Sequence, residues 1–121
     1  GVILNKGIIN SYYRNRFVFR GLGTVDNDYE VDIAASCMCL FKRESYNDLD
    51  KLYDFCSTTS MDDIYVSYFS KKNNIRRIVL AHDEGYVKHK EQLPEDDYVF
   101  DKYRFDDKEQ TDFINKFFNT I

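Results

Sequence analysis

Apolar positions along this chain fall in short runs separated by polar turns, and the spacing inside each run sets the element it predicts. Val2-Ile3-Leu4 and Ile8-Ile9 flank Lys6-Gly7, the pattern of an edge strand and a turn. Arg16-Phe17-Val18-Phe19-Arg20 reads as a second strand, closed by Gly21-Leu22-Gly23. Asp26-Asn27-Asp28 is a turn, and residues 29–41 read as one long strand. Its second half, from Ala34 to Leu40, has lost polar alternation, as happens when both faces of a strand are covered.

The period then changes. Over residues 44–57, Leu49, Leu52, Tyr53 and Cys56 recur at i, i+3, i+4 and i+7, the stripe of an amphipathic helix. Ser45 stands at its N-cap with Asp48 three residues on, and Ser57-Thr58-Thr59-Ser60 breaks it. Residues 64–69 and 75–81 read as two strands of a hairpin around Lys71-Lys72-Asn73-Asn74. A short strand over 86–90, a loop at Pro94 and Glu95-Asp96-Asp97, and a strand over 98–105 follow. Phe113, Ile114, Phe117, Phe118 and Ile121 make the apolar face of a C-terminal helix, with Asp106 and Glu109 as its capping pair. The expected fold class is α+β: an antiparallel β-sheet or β-sandwich with one inserted helix and a C-terminal helix. Residues 1–121 form one domain, since this length buries enough surface for a single core.

Composition supports a packed domain. The chain is 43% hydrophobic, which separates it from disordered sequences, and its ten Tyr and ten Phe point to an aromatic core. A formal net charge of −4 argues against nucleic acid as a partner, because phosphate recognition needs a basic face. Lys71, Lys72, Arg76 and Arg77 are the one basic cluster, read as a solvated hairpin tip. Cys37, Cys39 and Cys56 form an odd set without framework spacing, so they read as buried structural thiols rather than disulfides or a zinc site. No apolar stretch reaches the roughly 20 residues of a membrane span, and no signal peptide opens the chain. The expected compartment is the cytoplasm, with no membrane partner. Gly1 at the first position fits a chain excised from something longer.

Candidate chemistry centres on carboxylates. Asp26, Asp28, Glu30 and Asp32 alternate, so an extended chain places all four on one side, opposite Tyr29, Val31 and Ile33. Oxygen ligands at that spacing suit Ca²⁺, and the same pattern also describes a solvated strand face. His82-Asp83-Glu84 with His89 offers ligands for a hydrolytic metal and equally reads as a turn. Nucleophile elbows, P-loops and dinucleotide fingerprints are absent. Tyr12, Tyr13, Tyr46, Tyr65, Tyr68, Tyr86, Tyr98 and Tyr103 serve either an interface or the core.

Taken in order, several segments resemble the tellurium-resistance TerD-like family. Gly1-Val2-Ile3-Leu4-Asn5-Lys6-Gly7 is similar to its opening L-x-K-G element, and Phe17-Val18-Phe19-Arg20-Gly21-Leu22-Gly23 to its V-x-V-G-L-G strand. Tyr29-Glu30-Val31-Asp32-Ile33-Ala34-Ala35 resembles F-D-L-D-A-S-A. Ile64-Tyr65-Val66-Ser67-Tyr68 falls where F-V-F-Y-N would come, and Ile78-Val79-Leu80-Ala81-His82-Asp83 echoes V-V-H-S-G-D. The resemblance covers residues 1–84. It implies a β-sandwich that binds Ca²⁺ through acidic loops and acts in a stress response without catalysis. By position, Glu30 and Asp32 stand at the family's paired ligands, Asp83 near its G-D ligand, and Asp96 and Asp97 near a later acidic pair. Thr24 replaces the family's Trp, the glycine-rich acidic loop is missing, and residues 44–57 look inserted.

The leading expectation is therefore a non-enzymatic binding domain, with Asp28, Glu30, Asp32 and Asp83 as Ca²⁺ ligands in a stress-response module. The alternative is a protein–protein interaction domain, such as a viral or phage host-interaction factor or an immunity protein. Acidic charge, many tyrosines and an Asn, Asp, Lys and Ile bias support that alternative. A third reading is a metal-dependent hydrolase using His82, His89 and Asp83.

Overall fold

The computed structural model describes residues 1–34, 39–54, 61–88 and 103–120. The described residues form four short strands: β1 (Val2–Leu4), β2 (Arg16–Val18), β3 (Tyr29–Glu30) and β4 (Ile78–Val79). Two helices, α1 (Asp62–Lys72) and α2 (Lys108–Phe117), pack beside them. The molecule is thus mixed α+β, with two small antiparallel sheets.

β1 pairs with β2 in the register Val2↔Val18, Ile3↔Phe17 and Leu4↔Arg16. β3 pairs with β4, Tyr29 opposite Val79 and Glu30 opposite Ile78. The segment after β3 links the two sheets. Val2 N–H donates to Ile33 C=O at 2.8 Å, and Val2 C=O accepts from Asp32 and Ile33 N–H at 2.9 and 3.0 Å. β1 is thereby covered on both edges. Gly1 sits where this sheet approaches β4, and a Cβ there would collide with Val79 and crowd Val31.

α1 replaces the first strand of the expected hairpin. Met61, Ile64, Tyr65 and Tyr68 stand at i, i+3, i+4 and i+7, and all are buried. Asp62 and Asp63 at its start and Lys71 and Lys72 at its end match the helix dipole. The stripe is masked in sequence because Ser67, Phe69 and Ser70 are buried too, so most of the helix faces protein. Ser70 Oγ donates to Val66 C=O at 2.8 Å and meets the Tyr46 hydroxyl, while Ser67 Oγ accepts from Ala34 N–H. Asn73-Asn74, expected as a hairpin tip, instead ends α1. Asn74 has φ 56°, the left-handed conformation that Asn tolerates.

Other expected elements are shortened. Among the described residues of 29–41, Tyr29–Glu30 and Ile33 pair with other strands, and Leu40 and Phe41 are exposed. Residues 35–38 lie outside the described residues. Of the helix expected over 44–57, the described residues form two 3-10 turns, Arg43–Tyr46 and Leu49–Asp54. The first is entered from Lys42 without a side-chain cap, so Ser45, expected as the N-cap, lies inside it, and residues 55–57 lie outside the described residues. Tyr86 follows the Asp83–Tyr86 turn rather than starting a strand, and Tyr103 to Phe105 form a turn closed by Asp106 N–H to Tyr103 C=O. The rest of 86–90 and of 98–105, with Pro94, Asp96 and Asp97, lies partly or wholly outside the described residues. Cys39 is an exposed free thiol, because the chain has left the sheet by that point. Cys37 and Cys56 are not among the described residues.

The C-terminal helix forms as expected, burying Phe113 and Ile114, with Phe118 buried just beyond it. Its rings interlock with α1. Phe113 lies edge-on to Tyr65 at 4.8 Å and to Tyr68 at 5.7 Å between centroids, favoured geometries for aromatic pairs. No described helix is long and apolar enough to cross a membrane.

Candidate functional site

β2 alternates its side chains across the sheet. Arg16 and Val18 share the side of Leu4 and Val2, and Phe17 and Phe19 share the other. On that second side three rings form a row. Phe17 meets Phe19 edge-on at 5.0 Å, and Phe19 stacks on Tyr29 at 4.6 Å with planes 21° apart. Phe17 is 60% exposed, a high value for a ring fixed in a strand. The row borders a groove of about 390 Å³ that Arg20, Thr24, Val25 and Asp26 also line. The Tyr29 hydroxyl donates to Asp26 Oδ1 at 2.8 Å, which raises the tyrosine pKa and fixes its ring. Leu22 is exposed on the adjoining loop. This aromatic ledge is an apolar surface in which Phe17 is exposed and Phe19 and Tyr29 are half-buried.

The ledge is held rigidly from behind. Arg16 lies over the rings of Tyr12 and Tyr13 at 4.2 and 4.4 Å, a cation–π clamp at the start of β2. Tyr12 is buried, and burial pushes its pKa well above the ordinary tyrosine value. Asp63, at the N-terminus of α1, is raised by burial as well. The loop before β2 is fastened by a polar stripe on and around α2. Asp107 Oδ2 accepts from Ser11 Oγ at 2.7 Å and from Tyr13 N–H at 2.8 Å. Thr111 Oγ1 accepts from Tyr12 N–H, Asn115 bonds both the N–H and C=O of Ile9, and Asn119 reaches Gly7 C=O.

Of the carboxylates named from sequence, Asp28, Glu30 and Asp32 each meet a protein donor. Asp28 Oδ1 accepts from Ala81 N–H at 2.8 Å, and Asp32 Oδ2 from Leu4 N–H at 2.8 Å. Glu30 forms an exposed ion pair with Arg76 at 3.1 Å. Asp83 is exposed, and its carbonyl accepts from Tyr86 N–H. Among the described residues, no three His, Cys, Asp or Glu side chains converge on a point that could hold a metal. His82 pairs with Val25 through both backbone groups and sets Nδ1 2.8 Å from Leu80 C=O. His89 lies outside the described residues.

Most of the tyrosines belong to the core or its rim: Tyr12, Tyr65 and Tyr68 are buried, and Tyr13, Tyr46 and Tyr103 are half-buried. Tyr86 is exposed, and Tyr98 lies outside the described residues. The basic cluster is largely structural. Lys71 Nζ donates to Phe118 C=O at 2.7 Å, and Arg77 donates to the carbonyls of Val31 and Ile75. No sequence motif marks Phe17, Phe19 and Tyr29 as a site. Their available signal was Phe17 and Phe19 two apart in a strand, which puts both rings on one face.

No family model matches this chain. No curated protein matches it either.

Proposed function

We propose that this domain is a non-enzymatic protein-binding module whose docking surface is the Phe17–Phe19–Tyr29 ledge. The observation that carries this reading is a rigid row of three rings, with Phe17 exposed, outside the core formed by α1 and α2. Rings of this kind supply contact area at low conformational cost, and interface hot spots are enriched in aromatic and Arg residues around such anchors. Arg20 and Asp26 beside the ledge provide a polar rim.

Affinity capture with wild-type and Phe17→Asp baits, combined with crosslinking and mass spectrometry, tests the reading. A partner retained by wild type, crosslinked beside the ledge and lost from the variant supports it. Partners held equally by both baits overturn it.

A further inference from the structure

Resting on the protein-binding reading, we propose that the outer edge of β2 accepts an extended acidic segment of the partner as an added strand. The incoming segment sets an apolar residue opposite Val18 and its carboxylates towards Arg16 and Arg20.

The backbone geometry comes first. Gly1 and Phe19 exchange hydrogen bonds, Gly1 N to Phe19 C=O at 3.0 Å and Phe19 N–H to Gly1 C=O at 2.9 Å. In an antiparallel ladder the next pair, Val2↔Val18, is then non-bonded. Val2 accordingly turns its N–H and C=O to the 32–33 segment, and Val18 must turn its own pair away from β1. Among the described residues β2 has no neighbour but β1, so Val18 presents a donor and an acceptor at an open edge. Its side chain is 37% exposed there. An open edge with apolar side chains is a template for another strand.

Charge then selects the occupant. Residues 1–25 carry four basic side chains, Lys6, Arg14, Arg16 and Arg20, and no carboxylate, although the whole chain has a formal net charge of −4. β2 begins at Arg16, and Arg20 follows its end, the two symmetric about Val18. A second copy pairing antiparallel about Val18 would set Arg16 opposite Arg20, and like charges directly opposite disfavour a pair. Acidic residues two places either side of an apolar centre meet both arginines. The intervening positions, opposite Phe17 and Phe19, continue the aromatic ledge.

The test is an amide-resolved NMR titration of the full chain with the pentapeptide acetyl-Glu-Ile-Val-Ile-Glu-amide. The expected result is a downfield shift of the Val18 amide proton as it gains an acceptor, and saturable binding that salt weakens. N-methylation of the central peptide valine, which removes its donor, abolishes binding. Arg20→Glu weakens it roughly three- to five-fold, the scale of an exposed ion pair. The Arg20→Glu protein prefers the peptide with Lys in place of Glu. Three outcomes overturn the inference. The N-methylated peptide binds equally well, the Lys peptide matches the Glu peptide on wild type, or the Val18 amide does not move. A ledge that still loses its partner in Phe17→Asp under any of these keeps the protein-binding reading and removes only strand addition. Sedimentation showing a dimer that Arg20→Glu strengthens, since Glu would then face Arg16 of the second copy, would assign the edge to a second copy and also overturn the proposal.

Discussion

Asp107, Thr111, Asn115 and Asn119 stand four apart and bind the backbone of residues 7–13 one after another, so a helix side reads a loop much as a strand reads its neighbour. Asn115 is the member with two bonds, at 2.9 Å to Ile9 N–H and 2.8 Å to Ile9 C=O. Ile9 is buried, so losing the amide leaves both backbone groups short of a partner. Asn115→Ala is expected to lower unfolding free energy by about 1–3 kcal/mol in urea titrations, whereas Asn115→Asp keeps the acceptor and falls between. Asp107 adds a pH dependence. Burial pulls its pKa upward, but the bonds from Tyr13 N–H, Ser11 and Thr111 together hold it below the ordinary value. Its contribution is therefore present above the ordinary aspartate range and is lost as pH falls through the lower folded value. Asp63 acts with the opposite sign. Burial raises its pKa, so the folded state holds that proton more tightly and stability declines as pH rises through the interval above the ordinary value. Urea midpoints across the acid range should lose part of their acid-side fall in Asp107→Asn, and Asp63→Asn should remove the opposing decline.

At the scale of elements, the ends of α1 decide more than its centre. The helix stops because Asn73 and Asn74 leave the helical conformation, Asn74 at φ 56°, and Ile75 N–H then returns to Ser70 C=O at 2.8 Å. A side chain with a plain Cβ resists that conformation by roughly 1–2 kcal/mol. Asn74→Ala is expected to lower the thermal midpoint by a few degrees while Asn74→Gly leaves it near wild type, because the position is exposed and only its backbone matters. The same run carries the signals of a hairpin in sequence. Ile64, Tyr65, Val66, Tyr68 and Phe69 have high strand propensity, and Asn-Asn is good turn chemistry. Propensity lost to packing, since a helix buries Ile64, Tyr65, Tyr68 and Phe69 against α2 and the 3-10 turns at once. By contrast, Phe113, Ile114 and Phe118 at helical spacing made the C-terminal helix legible without any structure.

Across the whole molecule, the proposed docking surface and the core are separate. The core gathers Ile64, Tyr65, Phe69, Phe113, Ile114 and Phe118 with Val2 and Ile33, while Phe17 lies outside it. Phe17→Asp should therefore change unfolding free energy by no more than about 0.5 kcal/mol, as surface substitutions generally do, while abolishing partner capture. Circular dichroism melts beside the capture assay check both halves of that expectation. A large loss of stability would place Phe17 in the core and remove the ledge as a docking surface.

The α+β class, the strands β1 and β2 and the C-terminal helix could be read along the chain, because each depends on a local period that one face of an element must satisfy. The carboxylate alternation of Asp28, Glu30 and Asp32 was equally visible, but its consequence was not. Whether those oxygens face water, an ion or a protein donor depends on Leu4, Arg76 and Ala81, which are distant in sequence and brought close by the pairing of β1, β3 and β4. The exposed ledge has the same origin. Phe17 and Phe19 have the composition of buried residues, and only the arrangement of the other elements leaves Phe17 exposed on that face. Local periodicity specifies elements, whereas burial is a property of how elements meet, and no window of sequence contains that information.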